Sequence, residues 1–472
     1  MSGFFTVGEI KERPGVYKRY ENSGAQETNE TAESVGCAVV SGNWGPLNTP
    51  MRIDRSTDIS SVIGTGSGAD VIREMRAGGI NEMVVVRVGS DGTQATITLK
   101  DTTADTAVDV VGLTALYPGA RQLSITIKDS LEDETLRQAI IYEGTKQLES
   151  VSFGAGENEA DGLVSALANS AYVKAEKKAD GNGILEAVSQ KAFTAGTNPT
   201  VNNAAYSDGF SASEAESWDM ICVDTDDTAV HALLHAFIVR IYEAGAYPMS
   251  VVSEPKSIDL ETRMEHAAAF NDEKMHYVLN SWVAEDGTVY EGYLAAARIA
   301  GMIAASAANE SLTHTIVPDA AKLNEALTNT QIKKALRSGC LVMSLSKSRQ
   351  VWIEKAINTL VTLADNQDEG WKKIRRVKTR YELMNRIEAV VEPMIGTVDN
   401  DADGRAAIIA AAQRIVDAMA GEKKLLPGGS VTEDPNNPAT VDSAWFIVSV
   451  DDLDSIETIY LTFGFRFSSD EA

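Results

Sequence analysis

Cysteine is scarce in this 472-residue chain: Cys37, Cys222 and Cys340 are the three present, and they stand far apart. An odd number at such spacings gives neither a disulfide framework nor a paired-cysteine metal motif. The simplest interpretation is a chain that folds in a reducing compartment. Small disulfide-stapled secreted folds are therefore excluded.

Long hydrophobic runs are also missing. The longest apolar stretch, "LAAARIAGMIAASAA" (294–308), is short, rich in alanine and interrupted by Arg298. These properties predict a packed helix rather than a membrane span. The first residues, "MSGFFTVGEIKERPG", show no basic region followed by an apolar one, so no secretory signal is expected. We expect the protein to stay in the cytoplasm until assembly or lysis, with no direct membrane insertion.

Basic residues are in deficit. Lys and Arg number 42 against 68 Asp and Glu, which gives a net charge of −26. The overall field of such a chain repels phosphate, so it does not favour nucleic acid as a partner. The same charge keeps subunits apart in solution and delays their association.

The motifs of nucleotide and zinc enzymes are incomplete. "GTGSG" (64–68) precedes a predicted helix, but no Lys-Ser/Thr pair follows, and Ala69 stands where a dinucleotide loop has its third glycine. His231 and His235 lie four residues apart on a predicted helix, but Ala232 replaces the glutamate of a zinc protease motif. We therefore expect a turn and a helix flank, without cofactor or metal.

"DNDADG" (399–404) matches the first half of an EF-hand loop. The twelfth position of that loop needs a bidentate glutamate, and Ala410 is there instead. Asp399 or Asp401 is predicted to cap the helix that follows.

"VDTDD" (223–227) ends a predicted buried strand with Asp224, Asp226 and Asp227. The carboxyl end of a strand is where α/β enzymes place catalytic groups. A hydrolase that uses these three acids is one alternative, although no GxSxG motif accompanies them. Asp226 and Asp227 fit helix N-terminal positions equally well.

The pattern of predicted elements changes along the chain. Short alternating strands with turn signals fill the region from 90 to 192, which predicts a β-sandwich or barrel. Strands and helices alternate from about 200 to 330, which predicts a parallel sheet covered on both faces. The predicted divisions are an arm and linker (1–33), a first α/β segment (34–89), a β-sandwich-like domain (90–192), an α/β domain (193–345) and a C-terminal α+β domain (346–472).

"WKKIRRVKTR" (371–380) concentrates positive charge, since six of its ten residues are Lys or Arg. Lys372, Arg376 and Arg380 recur at i, i+4 and i+8, where like charges repel. We expect an acidic partner surface to offset this repulsion; a solvated face is the alternative. Nucleic acid is a weaker candidate, because aromatic residues are not interleaved with the basic ones. The apolar stripe of this helix consists of Trp371, Ile374, Val377, Tyr381 and Met384.

"SIETIYLTFGFRF" (455–467) has the period-2 alternation of a half-buried strand. Its apolar positions are Ile459, Leu461, Phe463, Phe465 and Phe467. An apolar strand near a chain end is an aggregation hazard unless something pairs with it. The pattern therefore raises the question of its partner.

Six stretches along the chain form a recognisable series. They are "RPGVYKRYEN" (13–22), "CAVVSGNWGPLNTPMRI" (37–53), the Gly/Thr-rich lead into "WDMICVDTDD" (193–227), "ALTNTQIKKALRSGCLVMSLSKSRQVWIEKAINTL" (326–360), "WKKIRRVKTRYELMNRIE" (371–388) and "SIETIYLTFGF" (455–465). They resemble contractile phage tail sheath proteins and follow one another in that family's order. The region 90–192 resembles the family least.

This resemblance implies a structural, non-enzymatic subunit of a phage tail or phage-like bacteriocin, with no cofactor. Such subunits stack as rings in a helical sheath around a tail tube and contract to drive the tube through a cell envelope. The implied partners are further copies of the chain, the tube protein, the baseplate and the tail terminator. The implied fold combines a subtilisin-like α/β domain lacking catalytic residues, an inserted β-sandwich and a C-terminal α+β domain. A surface-array protein is the structural alternative, and it would require a secretion signal.

The resemblance also implies roles for particular residues. Terminal strands would be exchanged between neighbouring subunits, linked through the polar tether 21–33. The basic helix is expected to face the tube. The residues implied in strand exchange are Val16, Tyr17, Tyr20, Ile459, Leu461, Phe463 and Phe465, and those implied at the tube are Lys372, Lys373, Arg375 and Arg376.

Overall fold

The computed structural model describes residues 2–4, 16–18 and 34–465, in two units that divide after Glu33. In the first unit, β1 (Ser2–Phe4) pairs in parallel with β2 (Val16–Lys18). Tyr20, which is predicted to take part in strand exchange, lies outside the described residues.

The second unit alternates strands and helices along most of its length. Its strands are β3 (Gly36–Val40), β4 (Pro50–Ile53), β5 (Met83–Arg87), β6 (Thr96–Lys100), β7 (Asp109–Ala115), β8 (Leu123–Asp129), β9 (Leu136–Glu143), β10 (Lys146–Gly154), β11 (Val173–Lys177), β12 (Val188–Ala192), β13 (Met220–Val223), β14 (Met249–Ser253), β15 (Met275–Val278), β16 (Trp282–Ala284), β17 (Val289–Tyr290), β18 (Ala320–Leu323), β19 (Cys340–Leu341), β20 (Met343–Leu345), β21 (Val351–Ile353), β22 (Ser430–Glu433) and β23 (Phe446–Ser449). Its α-helices are α1 (Ile59–Val62), α2 (Ser67–Gly78), α3 (Glu159–Ala166), α4 (Asn203–Ser213), α5 (Thr228–Glu243), α6 (Leu260–Phe270), α7 (Tyr293–Ala305), α8 (Asn329–Arg337), α9 (Ile374–Val391) and α10 (Ala402–Gly421).

The centre of this unit is a seven-stranded sheet with the order β19-β15-β14-β13-β3-β5-β4. Neighbouring strands are parallel except β4, which runs antiparallel to β5 at the edge. Strands from before and after the β-rich region therefore share one sheet. Every residue of β3, β5 and β14 is buried, as expected where both faces of a parallel sheet are covered.

Helices cover both faces of this sheet. On one face, Met83 and Val85 of β5 join a core with residues of α2 and α7. On the other, Val84 and Val86 join a core with residues of α4, α5, α6 and α8. The alternation follows from the opposite directions of successive side chains in a strand.

α7 confirms the packed helix predicted for the apolar stretch, because nearly all of its side chains are buried. Its charged residue, Arg298, bonds to buried Glu74 of α2 with an Nη2–Oε2 distance of 2.6 Å. Within the described ranges, no helix combines the length and hydrophobicity that a bilayer crossing requires.

The β-rich region is a sandwich. The four-stranded sheet β10-β9-β8-β12 and the three-stranded sheet β11-β7-β6 enclose one core. α3 closes the core with Leu163. The two sheets stay separate, so the sandwich rather than the barrel is the correct prediction.

The C-terminal elements attach to the α/β core through α9. Ile374, Val377 and Tyr381 of α9 are buried in the core that also contains α2 and α7, as the predicted apolar stripe requires. Further along, α9, α10 and β22 share a smaller core. β22 pairs with β23 as an antiparallel two-stranded sheet.

Candidate functional site

Asp224, at the carboxyl end of the sheet, is a structural hub. Its carboxylate accepts hydrogen bonds from Ser41 N (3.0 Å), Ser41 Oγ (2.5 Å), Ser67 Oγ (2.6 Å) and the Tyr206 hydroxyl (2.7 Å). Ser67 lies within "GTGSG" and is the first residue of α2. Asp224 therefore connects this turn to Ser41 and Tyr206.

The other two acids of "VDTDD" also serve helix ends. Asp227 is the N-cap of α5 and accepts from Ala229 N at 2.9 Å, as predicted. Asp226 instead accepts from Tyr293 N at 2.6 Å, so it binds the start of α7 rather than of its own helix. Burial raises the pKa of Asp226 to about 6, against the opposing effect of this hydrogen bond.

The contacts of Ser41 and Ser67 differ from those of a Ser-His-Asp triad. Ser41 and Ser67 donate directly to Asp224, whereas a serine hydrolase places an imidazole between serine and carboxylate. The arrangement fits a structural role better than the hydrolase alternative.

The histidines of α5 flank the helix. His231 Nε2 lies 3.0 Å from Thr225 O, and His235 Nε2 lies 2.9 Å from Asp272 Oδ2. Both line a cavity of about 240 Å³, together with Glu254, His266 and Tyr277. Glu254 already accepts from the Tyr277 hydroxyl (2.5 Å) and faces His266 Nδ1 (2.9 Å). In the part of the chain that the structure describes, no group of three His, Cys, Asp or Glu is arranged for a metal.

The incomplete EF-hand loop supplies a helix cap. Asp401 is the N-cap of α10 and accepts from Gly404 N at 2.8 Å, one of the two caps predicted.

The basic residues of α9 have acidic partners within their own chain. Lys373 Nζ lies 2.6 Å from Asp454 Oδ2 and 3.1 Å from Glu457 Oε2. Arg376 Nε lies 2.6 Å from Asp452 Oδ2, and Arg380 Nε lies 3.2 Å from the same oxygen. The segment 452–457 of the same chain therefore offsets part of this repulsion, and the acidic partner surface stays a prediction.

The predicted tube contacts differ in their exposure in the subunit, and the tube contact itself stays a prediction. Arg375 is 8% exposed, so little of its side chain is accessible. Lys372 Nζ lies 3.1 Å from Glu369 Oε1 one turn earlier, just before α9 begins. The pattern of charges along a helix does not show which of them are covered by a later segment.

The apolar segment beyond Glu457 is exposed. The exposed fractions are 73% for Ile459, 71% for Leu461, 74% for Phe463 and 86% for Phe465. Residues 453–465 form no strand, so the predicted strand Ile459–Phe467 is absent as far as Phe465, and Phe467 lies outside the described residues. A strand needs a pairing partner, and the described part of the subunit provides none here.

A second apolar surface lies on the small sheet β22–β23. Ile447 and Val448 of β23 are each 38% exposed, and Trp445 just before it is 41% exposed. A two-stranded sheet alone is marginally stable and has two open edges. This surface was not predicted from the sequence. The acids Asp452, Asp454 and Glu457 were not predicted either, although the run "DDLDSIE" (451–457) indicates an acidic segment.

Two family models match the chain and together cover more than half of it. Residues 90–198 match the model of the phage tail sheath protein beta-sandwich domain, and residues 200–359 match that of the phage tail sheath protein central domain. These limits fall on the sandwich and on the later part of the seven-stranded sheet.

Relatives and solved structures agree with this match. The phage-like element PBSX protein XkdK of Bacillus subtilis (strain 168) is 22% identical over 404 residues, which cover 83% of this chain and 82% of that protein. The sheath tail protein of Desulfitobacterium hafniense superposes with a TM-score of 0.73 at 22% identity, covering 95% of this chain and 99% of that one. The sheath tail protein of Listeria innocua gives a TM-score of 0.67 at 19% identity, covering 89% and 95%.

A more distant neighbour is the anti-feeding prophage helical sheath in its contracted state, with a TM-score of 0.53 at 10% identity over 96% of this chain and 99% of that one. At these identities the superpositions establish a shared fold, while the two domain models establish the family. The chain belongs to the phage tail sheath protein family and is a structural subunit of a contractile tail sheath.

Proposed function

We propose that this subunit polymerises as stacked rings in a helical sheath around a tail tube and contracts to drive the tube through a target envelope. Support comes from the likeness to the anti-feeding prophage, whose solved structures include a contracted helical sheath and a baseplate. The proposed partners are further copies of this chain, the tube protein, the baseplate and the tail terminator. Assembly would take place in the host cytoplasm, and the product would be a phage tail or phage-like particle.

The α/β domain is proposed to have a subtilisin-like topology without catalytic function. The parallel sheet with helices on both faces supports this proposal, as does the use of Asp224, Asp226 and Asp227 in structural hydrogen bonds. The contractile free energy would come from assembly: an extended lattice is metastable, and contraction buries more interface.

Strand exchange is proposed to connect the subunits. The observation that carries this proposal is a pair of surfaces that the described residues leave uncovered: an apolar segment (459–465) and a two-stranded sheet with exposed Ile447 and Val448. Strand addition to an open edge supplies main-chain hydrogen bonds, and alternate side chains supply specificity. Val16 and Tyr17 are proposed to contribute the N-terminal strand, in β2. The segment 459–465 would become a strand in a neighbour's sheet.

Cysteine cross-linking tests this exchange. The native cysteines are buried, and burial raises the pKa of Cys222 and Cys340 to about 12, so their thiols are unreactive at neutral pH. Leu461→Cys with Ile447→Cys, and Phe463→Cys with Ile447→Cys, place new thiols on the two proposed partners. Oxidised sheaths of at least one pair should give a ladder of disulfide-linked subunits on a denaturing gel.

The matched control pairs Leu461→Cys with Leu131→Cys, a residue of the β-sandwich that is 93% exposed. It should give no ladder beyond dimers formed by chance. If both exchange pairs behave like this control in well-formed sheaths, the segment does not pair with a neighbour's small sheet. Sheaths are recognised by negative-stain electron microscopy as hollow ringed cylinders.

We propose that α9 contacts the tube, because its basic side chains are partly exposed. The side chains of Lys372, Lys373 and Arg376 are 28%, 22% and 19% exposed, so their acidic partners leave part of each cation accessible. Replacing Lys372, Lys373, Arg375 and Arg376 by Gln is expected to lower the salt concentration at which sheath and tube separate, by about twofold.

The same substitutions would also loosen the segment 452–457, so a second variant is needed. Asp452→Asn with Asp454→Asn loosens that segment without changing the cations. A quadruple variant that separates from the tube at lower salt, while this acid variant behaves as wild type, supports direct tube contact. Equal effects, or unchanged co-assembly in the quadruple variant, would refute it.

A further inference from the structure

The acidic segment 452–457 makes a continuous set of contacts with α9. Asp452 bonds to Arg376 and Arg380, and Asp454 and Glu457 share Lys373. The Asp452 side chain is 9% exposed, so its charge is largely withdrawn from water. Burial alone would raise the pKa of Asp452, but the hydrogen bond from Arg376 and the charge of Arg380 outweigh it and hold the pKa below its ordinary value.

Neighbouring residues fix the positions of the basic side chains in this contact. Arg380 lies over the Trp371 ring, 4.4 Å from its centroid, and Asp368 Oδ1 lies 3.0 Å from Arg380 Nη2. Gly370 leaves room for the Arg376 guanidinium, because a Cβ at Gly370 would lie 2.2 Å from Arg376 Cζ. Guanidinium groups fixed in this way lose little conformational entropy when they bind a carboxylate.

Three further contacts hold the segment and the residue before it on their other sides. Leu453 N donates to Lys424 O at 3.0 Å, and Leu426 N donates to Asp451 O at 2.7 Å. The Thr313 hydroxyl donates to Glu457 Oε1 at 3.2 Å. The last anchored side chain is therefore Glu457, 13% exposed, and the exposed arm begins at Ile459, 73% exposed.

We propose that Asp452, Asp454 and Glu457 form an electrostatic clasp on α9 that anchors the exchanged strand to the core of its own subunit. The exchange itself rests on the proposed function above. Tension on the arm passes through the clasp to Lys373 and Arg376, and from α9 to the α/β core through buried Ile374 and Val377. The arm pivots beyond Glu457, so neighbouring subunits rotate while their link leaves each core at a fixed point.

Hydrogen exchange of the isolated full-length subunit tests the clasp without any assembly. The variant Asp452→Asn/Asp454→Asn/Glu457→Gln keeps each side chain's size and removes its charge. Exchange in residues 451–457 should become about tenfold faster than in wild type, and raising salt from about 50 to about 500 mM should move wild type in the same direction. Peptides from β13 and α7 should not change.

Glu261→Gln is the matched control, because it removes the charge of an exposed ion pair with Lys334, in a different part of the fold. It should leave exchange in 451–457 as in wild type. Unchanged exchange in the triple variant and at high salt would overturn the clasp and leave the backbone bonds at Leu426 and Leu453 as the anchor.

An assembly experiment distinguishes a failure of the clasp from a failure of the proposed function. Wild-type subunits that form no cylinders contradict the sheath role, whatever their exchange shows. If wild type forms cylinders and the triple variant exchanges faster, the variant's cylinders should fragment under shear that leaves wild-type cylinders intact. Equal resistance would overturn the tension-bearing role of the clasp.

Discussion

At the scale of single residues, acidic side chains at the carboxyl end of the sheet accept hydrogen bonds from other elements of the fold. Asp224 satisfies two serines and a tyrosine around the start of α2, and Asp226 binds the first backbone amide of α7. Each acid joins elements far apart in sequence. A position that in enzymes of this architecture is used for catalysis here stabilises the fold.

Asp226 predicts a pH dependence of stability. Its pKa is about 6 in the folded chain and 3.8 ordinarily, so between these values the unfolded chain is ionised while the folded chain keeps its proton. The free energy of unfolding of the wild type therefore falls as pH rises from about 4 to 6, because Asp226 must ionise in the folded chain. The loss of stability from this group is complete above about pH 6.

Asp226→Asn removes this cost and keeps an oxygen for Tyr293 N. Its free energy of unfolding should exceed that of wild type by about 1–2 kcal/mol at pH 7.5, and by little at pH 4, allowing for partial solvent screening. Denaturant unfolding at the two pH values measures this. A difference that does not change with pH would show that ionisation is not the cause.

At the scale of elements, α2 and α7 lie unusually close. A Cβ at Gly301 of α7 would be 2.2 Å from Met75 O, and one at Gly78 of α2 would be 2.6 Å from Gly301 Cα. Backbone therefore packs on backbone, and this contact places Arg298 against Glu74. Small residues at a helix contact allow such an approach.

Gly301→Ala is expected to destabilise the subunit by about 2–3 kcal/mol, because either the methyl group or the helix must move. Gly421→Ala, at the end of α10, is the control, since a Cβ there meets nothing within 4 Å. That control should be neutral or stabilising by up to about 1 kcal/mol. Thermal unfolding of both variants compares them, and equal melting temperatures would contradict the close contact.

The elements that could be predicted from the sequence are those whose signal is local. The apolar stripe of α9, the cap at Asp401 and the regular short strands of the sandwich each follow from spacing or capping chemistry. The strand at Ile459 could not be predicted for the isolated subunit, because alternation shows how a segment would pair but not whether its partner lies in the same chain.

The sequence predicts the parts of the candidate site but not the contacts between them. The sequence shows a basic helix and an apolar end, but the ion pairs of Arg376 with Asp452 join residues 76 positions apart. Such contacts depend on the path of the loop between them, which no local pattern determines. Arg375 shows the same limit, since the charge pattern of the helix does not reveal that its side chain is buried.

At the scale of the whole molecule, a charge of −26 opposes the association that the exposed arm favours. The arm alone would make the subunit prone to uncontrolled polymerisation. Long-range repulsion slows encounters between subunits, and added salt weakens it, because charges more than about 10 Å apart are largely screened at 0.1 M salt. The net charge therefore acts on the rate at which subunits meet and nucleate the lattice.

This balance predicts that salt accelerates sheath growth. Raising NaCl from about 20 to about 200 mM should increase the assembly rate about tenfold, measured by light scattering at fixed protein concentration and checked by electron microscopy. Asp105→Asn/Glu132→Gln/Glu134→Gln removes three exposed carboxylates of the β-sandwich, so at low salt it should assemble faster than wild type. The clasp variant loses the same charge but also the arm's anchor, so any slower growth relative to the sandwich variant measures the anchor alone. A wild-type rate that does not change with salt would show that repulsion between subunits does not control nucleation.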